Sequence, residues 1–285
     1  MKKAQIFLTV LCLFVVSAFG QAASNIVKTD LSQQEIDRIV KTFTENEKKF
    51  RQALTEYVFN RDATIQTIGM GGQVTGVYQR RSFMALKKNG ERFERITYFP
   101  MSTIKEVQIT STDIEDLGGV NAFALEPEAA PKYNFTYLGK EKIDDLNLYV
   151  FDVAPKVMPG PKSKERFFIG RIWVDDRDLM IVKSKGKGIP EDKQSKYPVV
   201  ETWRENVEGK YWFPAYATSD DELVFDSGQT VRLRMRVKYT DYTKGNVEIT
   251  IEDDTGEEPV ELEPEEKLNE NGLPPPPPPP PAKKP

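Results

Sequence analysis

The chain has 285 residues, a formal net charge of −4, no histidine and one cysteine, Cys12, which falls inside an N-terminal export signal. Once that signal is removed the chain cannot build a Ser–His or Cys–His nucleophile, a Cys/His zinc site or a disulfide. The acidity sits at the C-terminal end, where residues 252–270 hold ten acidic residues against Lys267; the body, residues 21–251, is left near neutral at +1, which gives no basic nucleic-acid footprint.

Lys2 and Lys3 followed by the apolar stretch Ile6 to Phe19 form a secretory signal, with cleavage expected after Gly20 or Ala22. The signal is assigned to residues 1–22, and the expected location is the periplasm. A retained anchor is the alternative reading. Leu11 precedes Cys12 where a lipid-anchor cysteine needs a small residue, so lipidation is not expected. Residues 23–251 then form one β-rich domain, expected to be a monomer, and 252–285 a disordered tail.

The body opens with a helix. Ser32 and Glu35 form a capping-box pattern, and Ile36, Ile39, Val40, Phe43, Phe50, Ala53, Leu54 and Tyr57 recur at helical spacing. So apolar a face must pack on something, and a sheet is the ordinary partner. The polar face mixes Glu and Lys, which argues against a membrane-surface helix.

Strands separated by turn signals follow. Thr64 to Ile68 reads as a strand broken by Gly69-Met70-Gly71-Gly72. Val77 to Leu86 and Arg92 to Phe99 flank Lys88-Asn89-Gly90, whose Asn-Gly pair favours a tight hairpin. Thr112 to Glu115 reads as the start of a short helix. Strands resume near Phe135 and run to about Ile251, with turns at Asp144-Asp145, Asp175–Asp178, Glu208-Gly209 and Asp226–Gly228.

Val231 to Tyr239 alternates strictly, with Val231, Leu233, Met235, Val237 and Tyr239 on one face and Arg232, Arg234, Arg236 and Lys238 on the other. Such alternation marks one buried and one wet face of an antiparallel sheet. The basic row reads either as a solvated face paired with neighbouring carboxylates or as a surface for an anionic partner, such as a lipid head group or an acidic protein. Pro274 to Pro281 is an unbroken proline run, expected to form a polyproline II rod of roughly 25 Å at about 3.1 Å per residue, either a spacer or a docking ligand.

Little chemistry is offered. Gly186-Lys187-Gly188 is too short for a phosphate loop. Asp175-Asp176-Arg177-Asp178 lacks the glycine and distal glutamate of a calcium loop and reads as a turn. No metal, cofactor or enzymatic activity is expected.

The block 133–216 carries a resemblance. In order it shows Tyr137-Leu138-Gly139, Tyr149 to Pro155, Gly170-Arg171-Ile172-Trp173-Val174-Asp175, Ile181-Val182-Lys183 and Tyr211-Trp212-Phe213-Pro214. This resembles the exported outer-membrane lipoprotein-sorting proteins, relatives of the LolA/LolB-like carriers, and extends loosely over residues 30–245. The resemblance implies an α+β, mainly β fold: a strongly curved antiparallel sheet, an incomplete barrel, with helices packed on its concave side. It also implies a cavity that holds acyl chains.

The expected function is therefore a periplasmic, non-enzymatic carrier of a hydrophobic ligand, a lipid or the acyl chains of a lipoprotein. Candidate wall residues are Val231, Leu233, Met235, Val237, Phe151, Trp173, Trp203 and Trp212, with Phe43, Phe50 and Leu54 as a lid. Arg232, Arg234, Arg236 and Lys238 are the candidates for an anionic partner. The alternative is an exported adaptor module that reaches a membrane or envelope protein through its acidic, proline-rich tail.

Overall fold

A computed structural model of the chain describes residues 25–86, 92–110, 125–193 and 195–245. The signal, the Lys88-Asn89-Gly90 hairpin, the helix start at Thr112 and the C-terminal tail lie outside these residues.

The helix α1 spans Gln33–Leu54. Ser32 is its N-cap, and the Ser32 hydroxyl accepts the Glu35 N–H at 3.2 Å, a cap worth about 1 kcal/mol. Tyr57, expected on the helix, instead opens the first strand. Leu54 ends the helical run, and the alternating sequence from Tyr57 to Ile68 favours extended backbone.

Ten strands follow among the described residues: β1 (Tyr57–Ile68), β2 (Val74–Leu86), β3 (Arg92–Tyr98), β4 (Tyr133–Ile143), β5 (Leu146–Pro155), β6 (Phe167–Asp175), β7 (Ile181–Ile189), β8 (Val200–Val207), β9 (Tyr211–Val224) and β10 (Thr230–Lys244). They form one antiparallel sheet in the order β3-β2-β1-β10-β9-β8-β7-β6-β5-β4, curved but not closed into a barrel. The expected turns fall between these strands. At Glu208-Gly209 both residues take positive φ, 56° and 70°, which glycine tolerates freely.

The topology has one long-range join. β1 pairs with β10 in the middle of the sheet, with Ala63 opposite Val237 and Ile65 opposite Met235. The chain thus starts centrally, walks out to the β3 edge, and resumes at the opposite edge, β4. The described start of the connection crosses β2. Thr103 exchanges hydrogen bonds with Val77, and Ile104 lies so close to Gly76 that a Cβ there would sit 2.7 Å from the Ile104 Cα.

α1 packs on what we call the inner face. Phe43 meets Phe135 edge-on at 5.5 Å and Phe151 at 6.0 Å, while one helical stretch later Phe50 meets Phe213 at 5.7 Å. The helix therefore spans two apolar clusters, one over β4 to β7 and one over β9, β10, β1 and β2. A third cluster, built on Leu148, Val150, Trp173 and Val182, occupies the outer face.

Between β6 and β7 a pair of glycines stands face to face, Gly170 opposite Gly186, and the Phe168 ring lies over both. A Cβ on Gly186 would approach the Ile169 carbonyl oxygen to 2.4 Å and the Phe168 ring to 2.5 Å. Gly186→Val should therefore lose about 1–3 kcal/mol by overpacking. Urea unfolding should show a lowered midpoint, whereas Gly209→Ala, which meets nothing but carries positive φ, should cost less.

Candidate functional site

On the inner face, beside α1, lies a cavity of about 910 Å³. The alternation of β10 supplies its floor: Leu233, Met235, Val237 and Tyr239 all point into it. The neighbours follow from register. Ile65 stands opposite Met235 on β1, Ala217 opposite Val237 on β9, and Thr202 opposite Ala217 on β8. Phe168, Ile172 and Ile181 continue the wall across β6 and β7, and Val107, Ile109 and Leu125 close it from the crossing connection.

The other sequence candidates are placed elsewhere among the described residues. Phe43 and Phe151 pack together in one cluster, and Phe50, Leu54 and Val231 belong to the other. Phe50 and Leu54 nevertheless lie on the helix that borders the cavity. Trp173 and Trp203 are on the outer face, because Trp173 pairs with Lys183, Lys183 with Trp203, and Trp203 with Tyr216, all one step out of phase with the cavity residues. There the Lys183 ammonium sits 4.6 Å from the Trp173 ring and 4.1 Å from the Trp203 ring, and Trp203 stacks on Tyr216 at 6.3 Å. Trp212 donates its indole N–H to Asp178 Oδ2 at 2.8 Å.

The basic row is also on the outer face. Arg232 and Arg234 both reach Asp220, at 3.0 and 3.2 Å, and their charges hold that carboxyl below its usual range, chiefly through the Arg232 hydrogen bond. Arg236 and Lys238 are exposed, opposite Thr218 and Tyr216. In the acidic turn after β6, Asp178 Oδ1 accepts the Met180 N–H at 3.0 Å, and Asp176 pairs with Lys140 at 2.9 Å. Among the described residues no three His, Cys, Asp or Glu side chains gather as a metal site.

Two polar anchors of the cavity were not singled out from sequence. The first joins Glu47 of α1 to Arg204 of β8. Arg204 grips the carboxylate with both Nη atoms, at 2.6 and 2.9 Å, and its guanidinium lies 4.4 Å from the Phe50 ring. Glu47 is buried at 2 % exposure, so the pair is a desolvated bridge from helix to sheet. The partners are 157 residues apart, and the local signal for each is only a charge on a strand or helix.

The second is Glu106 on the crossing connection. It accepts hydrogen bonds from Thr75 at 2.6 Å, from the Lys105 N–H at 3.0 Å and from Thr67 at 3.2 Å. These hold its carboxyl down at about 2, the Thr75 bond contributing most. The Glu106 carbonyl accepts the Gln229 side-chain amide at 2.9 Å. The connection is thereby tied both to β1–β2 and to the turn before β10.

No protein-family model and no curated protein matches the chain. Solved structures similar to it include a DUF1329 family protein from Desulfovibrio piger, at 12% identity and TM-score 0.35, covering 73% of this chain and 95% of that one. A second is an outer membrane lipoprotein-sorting protein domain from Vibrio parahaemolyticus, at 12% identity and TM-score 0.33, covering 75% and 94%. MucB is a third, at 9% identity and TM-score 0.23, covering 69% and 93%. The lipoprotein-sorting domain is of the kind that the block 133–216 resembles.

Two outcomes follow from the anchors. Glu47→Leu should cost about 3–5 kcal/mol by leaving Arg204 uncompensated, and Glu47→Leu with Arg204→Met should recover most of that loss in urea unfolding. The depressed Glu106 carboxyl stabilises the connection fully above its ordinary value of 4.5, and that contribution disappears as pH falls toward about 2. Amide exchange of residues 103–109, corrected for intrinsic rates, should accelerate over that window, and Glu106→Gln should abolish the pH dependence.

Proposed function

We propose that the chain is an exported, non-enzymatic carrier that holds a hydrophobic ligand, a lipid or the acyl chains of a lipoprotein, in the inner-face cavity. The observation that carries this reading is the cavity itself. Its volume of about 910 Å³ lies near the top of the range for small-molecule sites, roughly 300–1,000 Å³. Its floor is the apolar row Leu233, Met235 and Val237. Each Å² of hydrocarbon withdrawn from water onto such a wall is worth about 25 cal/mol.

A catalytic reading has less support. The exported chain lacks His and Cys, and among the described residues the two acidic ones that line the cavity already have other partners: Glu47 is bridged by Arg204, and Glu106 is hydrogen-bonded by hydroxyls and backbone. Paired carboxylates for acid–base work would have to be available to a substrate.

No described helix is long and apolar enough to cross a membrane. An exported location rests on the N-terminal signal read from the sequence, and the periplasm is the compartment this reading assigns.

The test is uptake of a dansylated undecanoic acid by the purified mature protein. The wild type should bind the probe and shift its emission to the blue. Leu233→Trp should fill the floor and weaken uptake about tenfold or more, with far-ultraviolet circular dichroism unchanged. Uptake by wild type and variant alike would place the probe outside this cavity and sink the reading.

A further inference from the structure

The wall of the cavity is not apolar throughout. One row of the sheet crosses it from β6 to β10, with Ile172 opposite Ser184, Ser184 opposite Thr202, Thr202 opposite Ala217 and Ala217 opposite Val237. Each of these residues lines the cavity. Directly opposed residues share a face, so two hydroxyls stand side by side within the wall, with hydrocarbon on either flank.

Ser184 and Thr202 are half-buried, and neither hydroxyl has a hydrogen-bonding partner among the described residues. The other polar side chains that β7 and β8 give to the lining are engaged, Lys187 with Glu191 at 3.0 Å and Arg204 with Glu47 at 2.6 Å. Water can serve the two hydroxyls while solvent reaches them. A pure hydrocarbon that displaced it would leave both unpaired in apolar surroundings, which lowers its affinity. A ligand with an acceptor at that point keeps both bonds.

The Cβ atoms of directly opposed residues lie about 4.5–5.5 Å apart, so both hydroxyls can donate to one oxygen. A carbonyl oxygen has two lone pairs to receive them. A carboxylate would be desolvated beside cations that are already paired, and an amide would bring an N–H for which the Ile172 and Ala217 side chains offer no acceptor. We propose that the ligand is an acyl ester whose carbonyl oxygen accepts hydrogen bonds from Ser184 and Thr202, with hydrocarbon over Ala217 and Val237 on one side and over Ile172 on the other. This rests on the carrier reading and adds to it the chemical class of the ligand and the point on the wall where its polar group sits.

Heptyl octanoate and heptyl octyl ether have chains of equal length and differ by one carbonyl oxygen. Each is used to displace dansylated undecanoic acid from the mature protein. The wild type should hold the ester about tenfold more tightly than the ether, the scale of two neutral hydrogen bonds. Ser184→Ala/Thr202→Val, which removes both hydroxyls with little change in volume, should hold the two alike, with ether affinity unchanged or raised. Each single variant should lose part of the preference, and Thr202→Ser should keep it. Ser219→Ala is the control. The Ser219 hydroxyl lies on the same face, opposite Met235, and also lacks a partner, but it is buried outside the cavity lining, so the preference should persist without it.

Equal displacement by ester and ether in the wild type, a preference that survives in the double variant, or one lost equally in Ser219→Ala, overturns the ester assignment and leaves the carrier reading standing. Failure of the dansylated probe itself to bind overturns the carrier reading. A dipalmitoylglyceryl-cysteine peptide and dipalmitoylglycerol then distinguish protein-borne from free acyl esters. Displacement by either, beyond that of its dialkyl ether counterpart, supports the assignment, and the stronger competitor names the source. Displacement by neither overturns it.

Discussion

The pairing of β1 with β10 is the constraint on which the rest of this molecule depends. Every other strand pair in the sheet joins neighbours along the chain, so each could form as a local hairpin or short excursion. β1 instead waits for a strand about 170 residues later, and its loop-closure cost is met only once the whole meander is in place. Because the two ends of the body meet in the centre, the outermost strands among the described residues are β3 and β4, the latter bridged at Lys140 by Val27. The chain must then pass from one edge to the other. That passage is what brings Val107, Ile109 and Leu125 against the inner face.

A face covered by one helix and one connection is not filled as a face covered by a second sheet would be. α1 is held at both of its halves by aromatic contacts, and between them Glu47 reaches Arg204. A buried ion pair gives little net stability against well-packed apolar residues, but it penalises every placement of the helix that leaves either charge alone. Glu106 plays the matching part for the connection, with hydroxyl and amide donors in place of a cation. The cavity lies beside both covers, each of which joins apolar contacts with a directional polar bond to the sheet.

How much of this could be read from residues alone varies with the range of the interaction. Ser32 as a cap, the alternation of Val231 to Tyr239 and the turns at Asp144-Asp145 and Glu208-Gly209 are local, and each is realised in the structure. The curved, unclosed antiparallel sheet agrees with what the resemblance of block 133–216 implied. Which face an aromatic takes was not legible. Trp173 and Trp203 lie on strands with both faces partly apolar, where period two does not say which side is in. Phe43 and Phe151 are indistinguishable in sequence from cavity residues, since the same side chains serve a filled core or an open wall. The Glu47–Arg204 and Glu106 anchors join distant segments, so no window along the chain contains both partners.

The positions of the aromatic residues also determine what the protein can signal by its own light. All three tryptophans, Trp173, Trp203 and Trp212, lie away from the cavity lining, and two of them flank the Lys183 ammonium. Intrinsic indole emission will follow the integrity of the outer face and stay nearly constant when the cavity fills. Occupancy is visible instead to Tyr197 and Tyr239, which line the wall and whose weaker emission the indoles will mask. An optical titration of the native chain would therefore look flat even with a tightly held ligand, and a reporter has to be carried by the ligand or engineered into β10.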